Sequence, residues 1–348
     1  MRRLLAPPAQ NVTSGDVPSF SVVIAAYQVA DVIGEAISSA LAQTVPPLEI
    51  VVCDDGSSDD LEAALAPYRD RIVLVRKENG GEASAKNAGA RAASGDFVAI
   101  LDADDVYLPE RLAALGELAA ARPDLDILTT DAFLEVDGKV LRRVYGEDWT
   151  FEVEDQRRAI LERNFVFGHA AVRRETLLAV GGFDESIRFT TDWECWIRLV
   201  LSGSRAGAVL EPLSRYRVRE QSLSADRASM TAGRIESLRK GLEHPSLRPE
   251  EQAVARATIA ALERELAGLR LREALRRDDP GARRLALSIG LGRATPAPTR
   301  LKAVAAALAP RVVGRLLRRR GERVWIGAGG TTVERATPPS AEAGARRS

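Results

Sequence analysis

The 348-residue sequence predicts an α/β fold, a doubly wound mixed sheet with a C-terminal helical appendage. Three observations carry that expectation. From Phe20 onward, apolar runs of strand length alternate with segments of helical spacing, the rhythm of parallel strands joined by crossover helices. The pair Asp137-Gly138 signals a hairpin, which adds antiparallel strands to the parallel set. Beyond about residue 235 the strand-like runs cease and long helical patterns take over.

Residues 1–18 are rich in Pro, Gly and Ser and read as a flexible N-terminus. Phe20 to Ala25 is a buried strand, and Ala30 to Gln43 a helix with Ile33, Ile37, Ala40 and Leu41 at helical spacing. Leu48 to Cys53 is the second strand. Ser58 with Glu62 opens a short helix carrying Leu61 and Leu65. Ile72 to Val75 is the third strand, Lys77 to Gly81 a turn, and Glu82 to Ala93 a helix of small residues. Phe97 to Leu101 is an unbroken apolar run, suited to a central strand covered on both faces. Leu112, Leu115 and Leu118 stripe the next helix, and Asp126 to Thr130 is a strand before the hairpin. Residues 141–165 are irregular and polar around Trp149, Phe151 and Phe165. Pro249 to Arg277 is a long helix, with Val254, Leu262, Leu266 and Leu269 on one side and Pro280-Gly281 as its stop. Residues 301–324, interrupted at Pro310, set Val312, Val313, Leu316 and Leu317 among arginines as a basic amphipathic helix. Residues 326–348 read as a disordered tail.

Composition bounds the function. At 45% apolar the chain can bury a real core. Cys53 and Cys195 give neither a metal spacing nor a disulfide framework and point to a reducing, cytoplasmic setting. The apolar part of Met-Arg-Arg-Leu-Leu-Ala ends at Pro7, which is not a signal peptide, and no run reaches the ~18 apolar residues of a spanning helix. The net charge of zero hides a segregation: residues 281–324 hold eleven Lys/Arg and one Glu, whereas residues 1–280 hold 35 basic and 46 acidic side chains. A basic appendage on an acidic body suggests a charged partner surface. Residues 301–324 offer an anionic membrane surface as that partner, peripherally on the cytoplasmic face, or else a packed and solvated helix. No nucleic-acid recognition fold accompanies them.

Two strands end in acids. Leu48 to Cys53 runs into Asp54-Asp55-Gly56, and Phe97 to Leu101 stops at Asp102, Asp104 and Asp105. Side chains two apart on an extended chain point the same way, so Asp102 and Asp104 can face one site. Three carboxylates at the end of a buried strand repel one another, and a hard cation such as Mg²⁺ or Mn²⁺ would relieve that. The carboxyl ends of parallel strands are where open α/β sheets hold ligands.

Four segments in this order, Val22-Val23-Ile24-Ala25-Ala26-Tyr27, Asp54-Asp55-Gly56-Ser57-Ser58-Asp59, Asn79-Gly80-Gly81 with Ala85-Lys86-Asn87-Ala88-Gly89, and Leu101-Asp102-Ala103-Asp104-Asp105, resemble the signature of glycosyltransferase family 2. That family is inverting, nucleotide-sugar-dependent and of GT-A fold, and the resemblance covers about residues 19–225. It implies a GT-A domain at 19–235, with a nucleotide half at 19–110 and an acceptor half at 111–235, before a helical, basic appendage at 236–325. It places Ala25 and Tyr27 at the nucleotide, Tyr27 stacked on the base. It makes Asp54 or Asp55 a hydrogen-bond acceptor for base or ribose, sets Lys86 near the nucleotide where relatives often have Arg, and puts Asp102 on the ribose. Asp104 becomes the ligand of the metal that bridges the diphosphate, and Asp105 a supporting acid or a helix-start acid. Gly181-Gly182-Phe183-Asp184-Glu185 and Thr191-Asp192-Trp193-Glu194 resemble the acceptor-side turn and the helix whose Asp is the catalytic base, here Asp192. The family's Glu before that Asp is replaced by Thr191. His169, Trp193, Arg217 and Arg219 are further acceptor or phosphate candidates; many relatives carry a His after the closing strand, where this chain has Arg219-Glu220.

The implied reaction moves a sugar, most commonly from a UDP-sugar, to the hydroxyl of a glycan or glycolipid in cell-surface polysaccharide assembly. Three other classes compete. A haloacid-dehalogenase-like phosphatase also uses Asp-x-Asp after a strand, but that fold opens with the motif and here three strands precede it. A nucleotidyltransferase wants a Gly-rich basic loop after its first strand, which residues 25–30 lack. A non-catalytic membrane-surface scaffold would use the basic helix alone.

Overall fold

A computed structural model describes residues 4–7, 16–146, 149–218, 226–292, 297–319, 323–326 and 331–334 of the chain. Its described residues fall into two compact units, one within 1–222 and 233–259, the other within 223–232 and 260–348.

The first unit is built on a ten-stranded mixed sheet. Its parallel heart comes from the apolar runs: β2 (Phe20–Ala26), β3 (Glu49–Asp54), β4 (Val73–Arg76) and β5 (Phe97–Ile100). With β1 at Leu4–Leu5, β5 pairs parallel to β2, β2 to β3, and β3 to β4. The crossovers are α1 (Ile33–Leu41), α2 (Leu61–Leu65) and α3 (Glu82–Ala92). Every residue of β5 is buried, as a strand covered on both faces requires.

Beyond β5 the chain makes a short strand β6 (Val106–Tyr107), helix α4 (Arg111–Ala121), the long β7 (Ile127–Val136) and β8 (Lys139–Arg143). Asp137 and Gly138, with φ of 50° and 73°, turn β7 into β8 in the mirror-image turn that matches strand twist. Then follow α5 (Gln156–Glu162), β9 (Ala171–Arg173), α6 (Arg174–Ala179), α7 (Thr191–Leu201) and β10 (Ala206–Val218). β9 pairs antiparallel with both β5 and β7, and thereby joins the parallel heart to a second pair, β7 and β10. Residues 141–165, expected to be irregular, hold the end of β8 and α5, whose start Asp155 caps by accepting a hydrogen bond from Arg158 N. The expected helix at 30–43 is shorter, because its first residues form a turn.

One face of the sheet buries Val22, Ile24, Ile50, Val52, Phe97 and Ala99 against Ile33 and Ile37 of α1 and Leu112 and Leu115 of α4. The other carries α3, which packs on β2 and β3. A Cβ at Gly89 would collide with Val23 Cγ1, so α3 is made of small residues because it lies so close to the sheet.

Helices α8 (Arg227–Gly241) and α9 (Pro249–Arg276) follow. In the second unit α10 (Ala282–Leu291), α11 (Ala297–Leu308) and α12 (Pro310–Arg319) form the expected helical appendage. The tail read as disordered from 326 is corrected in part. β11 (Arg323–Ile326) pairs antiparallel with β12 (Thr331–Glu334), whose β-branched residues suit a ribbon. Residues 335–348 lie outside the described residues. Among the described residues no helix is long and apolar enough to cross a membrane.

The close approach of α3 makes a test. Gly89→Ala raises helix propensity, yet it should destabilise the first unit by about 1–3 kcal/mol through overpacking. Urea unfolding should show a lower midpoint; an equal or higher one would refute the packing argument.

Candidate active site

The carboxyl ends of β2, β3 and β5 bring together the residues the sequence singled out. Ala25 is half-buried within β2, and Tyr27, just past that strand, is 50% exposed. The next residue, Gln28 (φ 55°), ties this loop to the β3 turn: its N donates to Ser57 Oγ at 3.2 Å and its Nε2 to Ser58 Oγ at 2.6 Å. Asp54 ends β3 and accepts from Ser57 N at 2.9 Å, shaping that turn. Asp55 is buried and accepts from Lys77 Nζ (2.6 Å), Gly80 N (3.0 Å) and Gly81 N (2.7 Å). Its carboxylate therefore fixes the Asn79-Gly80-Gly81 turn that leads into α3, while Asp54 is half-buried at the turn's mouth.

Helix α3 delivers Lys86 under the acids of β5. Lys86 is buried, with Nζ 2.5 Å from Glu82 Oε1 and 3.0 Å from Asp102 Oδ1. Burial works against its charge, but Asp102 and Glu82 outweigh burial and raise its pKa, so it stays an ammonium. Asp102, 35% exposed, is lowered in return: burial opposes its ionisation, and Lys86 and His169 overcome it.

The strand stops at Ile100, and residues 101–105 form a turn in which Asp105 N donates to Asp102 O at 3.0 Å. Strand alternation therefore does not decide which carboxylates converge. The turn brings Asp105 beside Asp102 and carries Asp104 half-buried on the same bend. Asp105 is buried between His169 Nε2, 2.6 Å from Oδ2, and Arg217 N, which donates to Oδ1 at 2.7 Å. His169 is itself buried, with Nδ1 3.1 Å from Ser214 Oγ. Burial pushes the imidazole down to about 3, and burial with neighbouring Asp102 pushes Asp105 up. Nε2 and Oδ2 therefore meet in one buried hydrogen bond. Asp102, Asp105 and His169 each turn one ligand atom inward, all within 4.8 Å of one another. Two carboxylates and an imidazole form a donor set that fits a divalent cation such as Mn²⁺.

Facing this cluster is Asp192, half-buried in the first turn of α7. Thr190, at φ 58°, sets the entry into that helix, and its Oγ1 lies 2.9 Å from Ser237 Oγ. Burial raises the pKa of Asp192, with Glu82 and Asp102 adding to it, while Lys86 and the helix N–H of Trp193 pull it down. Asn164 Nδ2 donates to Asp192 Oδ2 at 3.1 Å. Val166 N donates to Asn164 Oδ1 at 3.2 Å, which orients the side-chain amide, and Trp149 Nε1 donates to the Asn164 backbone carbonyl at 2.5 Å. Thr191, in the place of the family's Glu, is buried.

Trp193 is turned into the core, where its Nε1 donates to Ile160 O at 2.8 Å and ties α7 to α5. Arg217 reaches the cluster through its backbone; its guanidinium meets Glu35 at 2.7 Å and Glu135 at 3.6 Å. Arg219 lies outside the described residues. Two residues escaped the sequence reading. Asn164 sits in a stretch without helical or strand periodicity. Arg111 resembles an ordinary helix arginine, yet it is fully buried, bonds Thr130 Oγ1 and the His169 carbonyl, and lies 4.5 Å over the Tyr107 ring.

A sheet with acids gathered at the carboxyl ends of its parallel strands defines a ligand-binding α/β domain, and comparison with known proteins specifies which. The family model of glycosyl transferase family 2 matches residues 21–181. The succinoglycan biosynthesis protein ExoO of Rhizobium meliloti is 31% identical over 262 residues, covering 68% of this chain and 75% of that protein. An uncharacterised glycosyltransferase of Rickettsia prowazekii is 32% identical over 200 residues, covering 54% of this chain; the chain spans 60% of that relative's length. Among solved structures, a mannosyltransferase from Pyrobaculum calidifontis in complex with GDP-Man and Mn²⁺ shares the fold at a TM-score of 0.55, 21% identity and coverage of 88% of this chain and 87% of that one. S. aureus TarS 1–349 in complex with UDP-GlcNAc does so at 0.55 and 18%, covering 92% and 100%. The fold is GT-A, and the chain belongs to glycosyl transferase family 2.

The turn at residues 181–185 is clamped to the site. Asn87 donates to Phe183 O at 2.8 Å and accepts from Phe183 N at 2.7 Å, and a Cβ on Gly182 (φ 76°) would strike its amide. Next to it, Asp184 bonds Lys240 and accepts from Ser186 N at 2.9 Å. Burial works against the charge of Asp184, but Lys240 and Ser186 outweigh it and hold the carboxyl down at about 2. A depressed carboxyl stabilises the fold above its unfolded value near 3.9, and that contribution is lost as pH falls through the folded value. The stability difference between wild type and Asp184→Asn should be about 2 kcal/mol at neutral pH and vanish toward pH ~2. Urea titrations across that range measure it; a pH-independent difference would refute the assignment.

Proposed function

We propose that the chain transfers a sugar from a nucleotide-diphospho-sugar, a UDP-sugar first, to the hydroxyl of a glycan or glycolipid acceptor, with inversion at the anomeric carbon. The observation that carries this reading is the pairing of Asp192, an acid on a helix N-terminus, with the Lys86–Asp102–Asp105–His169 cluster. The acceptor O–H gives its proton to the free oxygen of Asp192. The acceptor oxygen bonds to the anomeric carbon as that carbon's bond to the diphosphate breaks, and the electron pair leaves on the diphosphate. Attack from the side of Asp192 inverts the sugar. Tyr27 stacks on the base, Asp54 accepts from base or ribose, and Asp102 meets the ribose.

A divalent cation held by Asp104, or by Asp102, Asp105 and His169, supplies positive charge for the departing diphosphate when bound. Lys86 stays protonated beside these acids and limits their mutual repulsion. Asp192 is well suited to its role: burial makes it a stronger base than an exposed carboxyl, and a base works best when its pKa approaches the working pH. Asn164 holds Oδ2 and leaves Oδ1 for the acceptor, a fixing role that Thr191 is too short and uncharged to perform. Buried, unpaired Cys53 and Cys195 suit a reducing cytoplasm.

Two experiments test this. Asp192→Asn keeps the shape and removes the basicity, so transfer should fall by roughly 10²–10⁴-fold with donor affinity by calorimetry unchanged. Asn164→Ala should cost about tenfold and move the acidic limb of the pH–rate profile upward, because the lost hydrogen bond favoured the charged carboxylate. Transfer within a few-fold of wild type in Asp192→Asn would remove it as the base.

A third experiment concerns the cation. Mn²⁺-dependent thermal stabilisation by UDP- and GDP-sugars should disappear with EDTA and in Asp104→Asn if that residue is the ligand. Stabilisation that survives Asp104→Asn but not His169→Ala would assign the ion to the other set. Survival of both together with EDTA would exclude a metal-dependent site.

A further inference from the structure

The second unit folds around small residues. Ala282 and Ala286 of α10 meet Ala303, Ala306 and Ala307 of α11, with Leu271 and Leu275 of α9. That choice leaves larger apolar side chains outside. On α11, Leu301, Val304 and Leu308 recur at the spacing of a single helical stripe and are 73%, 39% and 78% exposed. On α12, Val313 and Leu317 pack inward, while Val312 and Leu316 are 52% and 56% exposed. Arg311 and Arg315, one position before each, are exposed beside them. From Pro280 to Arg319 the sequence holds nine Lys and Arg and no acidic residue.

We infer that this apolar and basic face of α11 and α12 docks the protein on an anionic lipid surface. Exposed leucines in rows are unfavourable in water and become favourable when they enter the boundary between headgroups and acyl chains. The arginines beside them then meet lipid phosphates. Charge separates this occupant from the others. A second copy would set Arg311 and Arg315 against the same two arginines of its partner, with only Asp278 and Asp279 beside Arg311 to answer them. A nucleic acid would satisfy the arginines and leave the leucines in water, and residues 280–319 contain no aromatic side chain on which a base could stack. The helices lie on the surface and do not cross it, since none is long and apolar enough to span.

The test is co-sedimentation of the full chain with vesicles of mixed phosphatidylglycerol and phosphatidylcholine, and with vesicles of phosphatidylcholine alone. Binding should favour the anionic vesicles and weaken with salt. Arg311→Gln with Arg315→Gln should lower it about thirtyfold, and Leu301→Gln with Leu308→Gln on the order of tenfold. All four positions are exposed, so circular dichroism should report the same helix content in each variant. Binding unaffected by both pairs would overturn the inference, as would full-length protein that stays in the supernatant. A concentration-dependent dimer lost in the leucine pair would assign the face to a second copy, and preferential retention of a DNA duplex would assign it to nucleic acid. Either result also overturns the inference.

Discussion

The structure turns on how several carboxylates are tolerated at the end of one buried strand. Asp102 and Asp105 cannot both keep a full negative charge in a dry site unless positive charge and hydrogen bonds answer them. The first unit supplies those answers from four directions. Lys86 rises from α3 to Asp102, His169 comes from the loop before β9 to Asp105, Arg217 N reaches over from β10, and Arg111 braces the His169 carbonyl from α4. Each partner lies on an element whose placement the sheet order decides. β9 is the key strand: by pairing with β5 it brings His169 beside residues that precede it by more than sixty positions.

The same economy joins the two halves of the site. The α3 motif contributes Lys86 to the acids and Asn87 to the Phe183 turn, so one helix registers the acids after β5 against the turn at residues 181–185. The segment from Asn164 to His169 does the converse, with Asn164 on Asp192 and His169 on Asp105. Between them Phe165 and Phe167 are buried in a group of rings with Phe151, Trp149 and Tyr216. Aromatic packing of this kind holds a loop without helix or strand hydrogen bonds, and two polar side chains can then be presented in fixed directions. Asp55 plays a comparable part after β3, where it uses its carboxylate on the Gly80 and Gly81 amides and leaves Asp54 half-buried and Tyr27 exposed.

The charge segregation has a structural counterpart. The acidic body encloses its critical carboxylates and pairs them. Among the described side chains of the basic segment, Arg283, Arg284, Arg300, Arg311 and Arg315 lie outside, and alanines fill most of its core. A core of alanines brings helices close but buries little area per residue. Leu301, Leu308, Val312 and Leu316 of α11 and α12 are left exposed.

What the sequence determined was everything that depends on local periodicity and ordered motifs. The apolar runs of β2, β3 and β5 are legible because a strand covered on both faces needs no polar alternation, and the Asp137-Gly138 hairpin is legible because its turn demands positive φ. The ordered motifs carried the family. Tertiary structure alone decided which side chains meet. That a turn and not an extended strand follows Ile100, so that Asp105 stands beside Asp102, depends on His169, Arg217 and the β10 edge, all remote in the chain. That Asn164 holds Asp192, that Arg111 is fully buried, and that Trp193 faces inward all follow from contacts between residues 19 to 58 positions apart. Spacing along one chain carries no record of such contacts, because they are made by the packing of elements and not by the elements themselves.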